Sequence, residues 1–512
     1  MTGRARSGAS ATVLAMTDQP APRARRTRAK PVAPDAAALQ SAWVPGSPSP
    51  DSWTPRPWVP VAERVAVGKA ARLHAPRTGQ AALELRPDRD PVAIIAAQET
   101  DRLQDLIPLR HGRMAASAFA FYRGAPAVMA ADLSTTPTSG LIVQASGDAH
   151  LSNFGLFASP ERTLVFDAND FDETLPAPWE WDVKRLAISI LIAARSSGFT
   201  AAEGRNAVHA TVRGYREAMA AFSGMPLLDI WYGKMGADDI KAMAVKAAAA
   251  TKGLDAKRTS ATLDAIISKA RGKDQLKATA SLTGDVDGEW RFIENPPVVR
   301  HIEIPGGPEA LAKTFADYRD TMAENRRELV ERYHFVDFAL KVVGVGSVGT
   351  RCFMVLLEGR DRNDPLILQA KEATASVLAP YSSASHHANH GERVVVGQRL
   401  MQSTPDIFLG WTRGPGGRDF YFRQLWDMKG SIDVTVMRPA GLALYGSVCA
   451  QTLARAHARS GDAVAIAAYL GTSDTFDGAI ADLSETYADQ NTLDHQAFKD
   501  AIASGRIEAV AG

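Results

Sequence analysis

A short polar stretch in the first third of the chain concentrates side chains that can handle a cation or a proton. Residues 147–155 read GDAHLSNFG, and residues 164–173 read LVFDANDFDE. Together they hold five carboxylates, two amides and one imidazole. Gathering so many polar groups is costly unless they bind a cation or exchange protons. The stretch therefore predicts a metal-assisted or acid–base reaction centre.

The spacing within this stretch narrows the chemistry. Asp148 and Asn153 are separated by four residues, as are the catalytic aspartate and the metal-binding asparagine of protein kinases. Asp167 follows where a second metal-binding carboxylate is needed, and Asp170 is the next choice. Magnesium prefers such oxygen ligands, and nucleotide phosphates supply the rest. We predict that Asp148 orients or deprotonates an attacking hydroxyl, while Asn153 and Asp167 hold Mg²⁺.

Four accessory residues near this stretch are further candidates for the site. His150 is a metal ligand or, more readily, a loop histidine satisfied by its neighbours. Asp172 follows Asp170 in the same loop and is a further candidate acid. Arg113 and Arg123 lie beside aromatic residues. Guanidinium groups there suit either an anion or an ion pair with a carboxylate.

A second candidate site comes much later in the chain. Residues 344–349 read GVGSVG, a Gly-x-Gly-x-x-Gly motif that is weak by itself. A dinucleotide site needs a helix directly after the glycines, whereas residues 351–357 are β-branched and apolar. A glycine turn between two strands is instead typical of the hairpin that covers phosphates in kinases. Three glycines, Gly344, Gly346 and Gly349, are therefore predicted to bind nucleotide.

The strand after this hairpin ends in a lysine. Residues 366–370 are largely apolar and lead into Lys371, as in the kinase strand whose lysine grips the α- and β-phosphates. A lysine on a buried strand needs a partner. Glu372 would point to the opposite face, so Glu392, at the start of the helical segment 391–401, is the predicted partner. The alternative is a surface lysine at a strand end.

The elements that must position these groups follow from local patterns. A predicted strand at 141–144 leads into the polar loop, and another at 162–166 brings Asn153 and Asp167 to the two sides of a hairpin. An apolar helix begins near Asp182. Later strands at 338–343, 351–357, 366–370 and 420–425 predict a β-rich region, and a helix is expected at 441–459.

Residues 147–153 resemble the catalytic loop of aminoglycoside and choline phosphotransferases, a branch of the protein-kinase-like superfamily. The chain resembles more closely a bacterial family known as domain of unknown function 2252. The matching runs are 110–114, 119–124, 147–155, 166–174, 178–187, 391–401, 406–411, 421–430 and 453–462. The resemblance implies a kinase-like fold in which Asp182 braces the catalytic loop. Ser146 stands where phosphotransferases usually have histidine, and Asp167 begins Asp-Ala-Asn where Asp-Phe-Gly is expected.

The order of the two sites is the reverse of the kinase order, because the catalytic loop precedes the glycine hairpin. A circular permutation accounts for this, since two lobes need only meet across one cleft. We therefore predict a two-lobed α+β fold of kinase-like type whose chain is circularly permuted. The predicted parts are a disordered basic tail at 1–55, a helical large lobe at 56–335 with a helical insert at about 236–290, a β-rich small lobe at 336–430, and C-terminal helices at 431–512 that pack on the large lobe.

Composition restricts partners and compartment. Lys plus Arg total 58 and Asp plus Glu 57, so no overall field favours nucleic acid or an anionic membrane. The two cysteines are far apart and predict neither a disulfide framework nor a zinc site, which fits a reducing cytoplasm. The longest apolar run, 186–194, is about half a membrane span. We expect a cytoplasmic protein without membrane or nucleic-acid partners.

The favoured function is an ATP- and Mg²⁺-dependent phosphotransferase acting on an unknown small-molecule or protein hydroxyl. Two alternatives use the same fold, namely a nucleotidyl transferase and a pseudokinase that binds nucleotide without catalysis. A metal-dependent hydrolase built from His150 and the aspartates is the least favoured, because it leaves Lys371 and the glycine hairpin without a role.

Overall fold

The computed structural model describes residues 58–250, 255–272, 275–425, 428, 430 and 433–510. The tail predicted at 1–55 lies outside these residues. The fold is α+β, as predicted, with a helical body and several antiparallel sheets. Across the described ranges, none of the helices combines the length and the apolar character needed to cross a membrane.

The α-helices are, in chain order, α1 (Val61–His74), α2 (Pro91–Ala97), α3 (Ile107–Ala115), α4 (Ala118–Gly124), α5 (Pro126–Leu133), α6 (Trp179–Ser196), α7 (Ala201–Ser223), α8 (Leu227–Tyr232), α9 (Ala237–Ala250), α10 (Ala256–Arg271), α11 (Gln275–Leu282), α12 (Gly307–Asp320), α13 (Glu324–Val330), α14 (His390–Met401), α15 (Pro439–Ser460), α16 (Ala463–Leu470) and α17 (Thr475–Ala503). The strands are β1 (Ile142–Ala145), β2 (Phe154–Ala158), β3 (Leu164–Ala168), β4 (Leu175–Pro178), β5 (Met235–Gly236), β6 (Thr283–Val286), β7 (Glu289–Phe292), β8 (Val299–Arg300), β9 (His334–Lys341), β10 (Cys352–Glu358), β11 (Pro365–Ala373), β12 (Gly410–Arg413) and β13 (Asp419–Gln424).

The largest sheet is antiparallel and has the strand order β12-β13-β11-β10-β9-β8. It begins at Val299, earlier than the predicted boundary at 336. Strand β11 is buried along its whole length. Leu368 packs into one apolar cluster and Ile367 into another. Both faces of the sheet are therefore covered at β11, which explains why Leu366, Ile367 and Leu368 follow one another without alternating polar residues.

Two small strand pairs hold the polar loop. Strand β1 pairs with β4 and β2 pairs with β3, so that Ala145 lies opposite Leu175 and Phe154 lies opposite Ala168. The connections 146–153 and 169–174 consequently leave these pairs at the same place. The Asn169 N–H donates to the Asn153 carbonyl at 2.8 Å. The fold thus places the two polar runs of the sequence side by side.

Helix α6 supports the two strand pairs and the polar loop, and its residues from Trp179 to Ala194 are all buried. It packs against α7, α15 and α17 in the main apolar core. The segment predicted as a helical insert contains α9, α10 and α11 and ends in the β6-β7 hairpin. Helix α15 lies along α7, so the C-terminal part of the chain returns to the polar loop.

Candidate functional site

The polar loop is fixed by its backbone. Gly147 has a φ of +79°, and a Cβ there would lie 2.3 Å from the Glu173 carbonyl oxygen, so only glycine fits this turn. The Asp182 carboxylate accepts from the N–H of Ser146 at 2.6 Å and of Gly147 at 3.0 Å. This is the position that the predicted bracing role of Asp182 requires.

A buried histidine from the other end of the chain completes the brace. His457 Nε2 lies 3.1 Å from the Asp182 carboxylate, and the Tyr215 hydroxyl lies 2.8 Å from His457 Nδ1. His457 is fully buried in α15. An imidazole is therefore present beside the loop although Ser146 occupies the position where phosphotransferases usually have histidine. No local motif around His457 pointed to this role.

Asp148 is the loop carboxylate that faces the cleft. Arg185 Nε donates to Asp148 Oδ1 at 2.5 Å, and His150 Nε2 lies 3.8 Å from Oδ2. Burial raises the pKa of Asp148 to about 6, against the opposing effect of Arg185. A carboxylate with such a pKa is mostly ionised near neutral pH and can still take up a proton. Asp148 therefore has the properties of a general base.

His150 supports the loop in its neutral form. Its Nδ1 accepts from the Ser152 N–H at 3.2 Å. Burial, with the nearby positive charge of Arg185 and Arg123, holds the pKa of His150 well below its usual range. In a neutral ring whose Nδ1 is an acceptor, the proton is on Nε2, on the side of Asp148. This bonding is that of the satisfied loop histidine considered from the sequence.

Asn153 is tied to the same loop. Its Nδ2 donates to the Asp148 carbonyl at 2.7 Å. This bond orients the amide and leaves Oδ1 as the atom able to ligate a cation. Asn153 lines the same cleft as Asp148.

Asp167 is not placed to bind a metal, contrary to our expectation. The residue is completely buried, and its Oδ2 accepts from Arg455 Nη2 at 2.6 Å and from the N–H and hydroxyl of Ser403 at 2.8 Å each. Its Oδ1 accepts from the Ala168 N–H. All of these partners are protein groups, so Asp167 joins β3 to α15 and to the segment after α14. The prediction failed because the hairpin register points this side chain away from the cleft.

Asp170 lies in the cleft, where Asp167 was expected. Its side chain is 33% exposed and it lines the cleft together with Asn153 and Asp148. Lys371 Nζ lies 3.7 Å from Asp170 Oδ2. Among the two metal candidates named from the sequence, Asp170 is the one whose carboxylate is accessible from the cleft.

Lys371 is buried and pairs with the polar loop. It is 2% exposed and forms a close ion pair with Asp172, which also accepts from the Tyr421 hydroxyl at 2.8 Å. Burial acts to lower the pKa of Lys371, but Asp170 and Asp172 outweigh it and hold the pKa well above its usual range. The lysine is therefore charged, and it joins the large sheet to the loop at 169–174.

The predicted Glu392 partnership is wrong. Glu392 lies 3.4 Å from His387, on the outer part of α14. The next residue, Arg393, faces inward and donates to the carbonyls of Thr174 at 2.6 Å and of Asp172 at 2.8 Å. A shift of one residue rotates a side chain by about 100° around a helix. This explains why Arg393, and not Glu392, is the residue of α14 that reaches the loop at 169–174.

The glycine turn is held by arginines. Arg102 Nη1 donates to the carbonyls of Gly346 at 2.8 Å and of Val348 at 2.7 Å, and Arg113 Nη1 donates to the Gly344 carbonyl at 2.8 Å. Gly344 has a φ of +64°. Arg113 thus supports the turn and is not free to grip an anion. Gly349 packs against the Arg102 side chain.

One cleft brings the two sequence motifs together. It encloses about 850 Å³ of space not filled by atoms, with the open solvent at its mouth included. The predicted site residues on its walls are Asp148, His150, Asn153, Asp170, Asp172, Arg123, Gly344 and Gly346. Gly349, Lys371, Glu392, Arg113 and Asp167 are outside this lining. The loop and the glycine turn therefore line one common cleft.

Asp170 and Asn153 are the cleft residues that could hold a metal ion. In the described part of the chain, no group of three or more His, Cys, Asp or Glu side chains is arranged to hold a metal. Magnesium at a nucleotide site needs only one or two protein oxygens, because phosphates and water provide the others. Asp170 and Asn153 can supply those two.

Some functional side chains had a detectable sequence signal and others had none. Arg185 follows Asp182 by three residues on α6, so both project toward the loop from one helix face. Glu173 is the last acid of the polar run and lines the cleft. Burial raises its pKa to about 7, although the Val377 N–H donates to it at 2.7 Å. Arg393 and His457 carried no such signal.

Comparison with known protein families supports one of the two resemblances seen in the sequence, the one to an uncharacterised bacterial family. No curated protein and no solved structure matches the chain. A family model described as an uncharacterized protein conserved in bacteria (DUF2252) matches residues 102–501 and so includes both walls of the cleft. The chain belongs to this bacterial family, domain of unknown function 2252.

Proposed function

We propose that the protein is an ATP- and Mg²⁺-dependent phosphotransferase of kinase-like fold. The observation that carries the proposal is the common cleft, which Asp148, Asn153 and Asp170 line together with Gly344 and Gly346. A carboxylate base, two oxygen ligands and a glycine turn are the parts that phosphoryl transfer requires.

The order of elements around Lys371 supports the same proposal. Strands β9 and β10 flank the glycine turn, β11 carries Lys371 near its end, and α14 follows before β12 and β13. Kinases also carry a glycine hairpin, a lysine on the third strand and then a helix. The departure is the partner of the lysine, which is Asp172 and not a helix glutamate.

A contact between distant parts of the chain supports the permutation. The Gln144 N–H donates to Ser460 Oγ at 3.2 Å, and a Cβ on Gly461 would lie 3.2 Å from the Ile142 carbonyl. The end of α15 is therefore adjacent to the start of β1. A chain joined there would run from the large sheet through α15 into the catalytic loop, which is the order expected for a kinase-like fold.

The proposed reaction assigns one task to each group. Asp148 accepts the proton of the acceptor hydroxyl as its oxygen forms a bond to the γ-phosphorus. The bond from this phosphorus to the bridging oxygen breaks, and its electron pair stays on the ADP product. Asn153 and Asp170 would hold magnesium, which when bound neutralises phosphate charge. Lys371 positions the loop that carries Asp170 and Asp172.

The compartment proposed is the cytoplasm. Cys352 and Cys449 are buried free thiols, which agrees with a reducing environment. The partners proposed are a nucleotide and an acceptor with a hydroxyl group.

Labelled ATP tests the proposal directly. Protein and Mg²⁺ are incubated with ATP labelled at the α- or γ-phosphate, with the protein itself and a panel of small hydroxyl compounds as acceptors. Transfer of the γ label, lost in Asp148→Asn and retained in Asp317→Asn, is the expected result. Asp317 is a matched surface aspartate that pairs with Lys313 on α12.

Other outcomes separate the alternatives. Transfer of the α label would identify a nucleotidyl transferase. Nucleotide-dependent thermal stabilisation without transfer would identify a pseudokinase. If ATP and ADP both fail to stabilise the protein with or without Mg²⁺, the kinase-like proposal is wrong.

A further inference from the structure

The cleft contains a positively charged side chain that has no role in the proposed reaction. Arg123 lies in the last turn of α4 and lines the cleft with Asp148 and Asp170. Its Nε is buried and has no hydrogen-bond partner among the residues the structure describes. The guanidinium lies over the Phe119 ring at 5.9 Å from the centroid. The side chain is half-buried and lines the cleft, and within the described ranges it forms no close ion pair, although the charges of Asp148 and Asp170 act on it from a greater distance.

The neighbouring arginines are all engaged. Arg102 and Arg113 bind carbonyls of the glycine turn. Arg110 forms a close ion pair with Glu99, and Arg185 forms one with Asp148. Arg123 differs from these four residues because, among the residues that the structure describes, its guanidinium has neither a close ion pair nor a hydrogen bond to a carbonyl. A half-buried guanidinium without a close partner is available to an anion that enters the cleft.

The backbone around Arg123 is fixed on both sides. Arg185 Nη2 donates to the Tyr122 carbonyl at 3.2 Å, and Arg110 Nη2 donates to the Gly124 carbonyl at 2.7 Å. A Cβ on Gly346 would lie 3.3 Å from the Arg123 carbonyl. The residue is therefore held between the glycine turn and the partner of Asp148. This is the place where the terminal phosphate of a bound nucleotide would meet the acceptor.

We propose that Arg123 binds the γ-phosphate of ATP and stabilises the phosphoryl group during transfer. The inference rests on the proposed function and adds a catalytic residue to it. As the acceptor oxygen bonds to phosphorus and the bond to the ADP oxygen breaks, negative charge is shared among three phosphoryl oxygens. A guanidinium fork donates to two of them at once. ADP lacks these oxygens, so Arg123 distinguishes ATP from ADP.

The test compares the binding of two nucleotides. Calorimetric titration with ATP and with ADP, both with Mg²⁺, is carried out on the wild type, Arg123→Met and Arg123→Lys. In Arg123→Met we expect the ATP affinity to fall at least about tenfold while the ADP affinity stays within about twofold, because only ATP loses a charge-assisted bond. The kcat for γ transfer should fall at least about 100-fold. Arg123→Lys should recover part of both losses, because the charge remains without the fork.

Arg319→Met is the matched control. Arg319 also lies over a phenylalanine, Phe315, at 5.7 Å and also has a buried Nε without a hydrogen-bond partner in the described residues. It belongs to α12, outside the cleft lining. Its replacement should leave both affinities unchanged.

Two results would overturn the inference, and they are distinguishable. Equal loss of ATP and ADP affinity in Arg123→Met, or no loss of either, would show that Arg123 does not contact the γ-phosphate while the proposed function stands. Failure of the wild type to bind either nucleotide would remove the proposed function and this inference together. Thermal unfolding of each variant verifies that it is folded, and Arg123→Lys provides the test if Arg123→Met is not.

Discussion

Two aspartates separated by two residues are expected to respond to the same substitution in opposite ways. Asp167→Asn removes the charge that faces Arg455, whose side chain is only 7% exposed. Breaking a buried ion pair by removing one partner costs about 3–5 kcal/mol. Asp170 is 33% exposed, and Lys371 keeps Asp172 when Asp170 is replaced. Asp170→Asn should therefore change the free energy of unfolding by no more than about 1 kcal/mol.

The assay is calorimetric unfolding of both variants with and without ATP and Mg²⁺. At roughly 2.1 cal/mol/K per residue and about 450 folded residues, the unfolding entropy is about 0.9 kcal/mol/K, so 3–5 kcal/mol lowers the Tm by about 3–5 °C. We expect that drop for Asp167→Asn, with the increase in Tm caused by Mg²⁺ and ATP retained. For Asp170→Asn we expect an unchanged Tm without ligand and loss of the Mg²⁺-dependent part of the increase.

The reverse result would refute the reasoning. If Asp167→Asn left the Tm unchanged and abolished the effect of Mg²⁺, Asp167 would be the metal ligand and its contacts with Arg455 and Ser403 would not describe the working protein. Equal behaviour of the two variants would show that neither aspartate has the role assigned to it.

Two further predictions concern the walls of the loop. Burial raises the pKa of Glu173 to about 7 from 4.5, so the unfolded chain releases this proton from about pH 4.5 upward while the folded protein retains it to about pH 7. Wild-type stability should therefore fall over that interval by up to about 3 kcal/mol, and by less where cleft water screens the charge. Urea unfolding of Glu173→Gln should show a gain in the free energy of unfolding over the wild type that is absent at pH 4 and constant above pH 7. A gain that does not depend on pH would contradict this. Gly147→Ala should cost more than the 1–2 kcal/mol expected for a left-handed residue, because of the Glu173 carbonyl, and should abolish transfer; Gly198→Ala, with a φ of +74° and no atom within 4 Å, should show the conformational cost alone. Similar losses of stability in both alanine variants would contradict the close contact at Gly147.

The sequence was informative wherever a signal was local. The polar loop, the strands on either side of it and the glycine hairpin followed from residue spacing and from apolar runs. The choice between Asp167 and Asp170 could not be made from spacing, because Arg455 is 288 positions from Asp167. No local pattern near either residue predicts this ion pair. The partner of Lys371 was missed for the same reason. The sequence can indicate that a buried charged residue needs a partner, but only the tertiary structure determines which residue is that partner.

The segment 102–124 connects the two walls of the cleft physically. Through Arg102 and Arg113 it binds the carbonyls of the glycine turn, and through Tyr122 it contacts Arg185, which holds Asp148. Any closure of the glycine turn over a nucleotide must therefore either break these hydrogen bonds or move the segment with the turn. In the second case Arg123 moves as well, because its own backbone lies against Gly346. Closure and the placement of the proposed phosphate-binding guanidinium would then be one motion, which favours assembly of the complete site only when the nucleotide is bound.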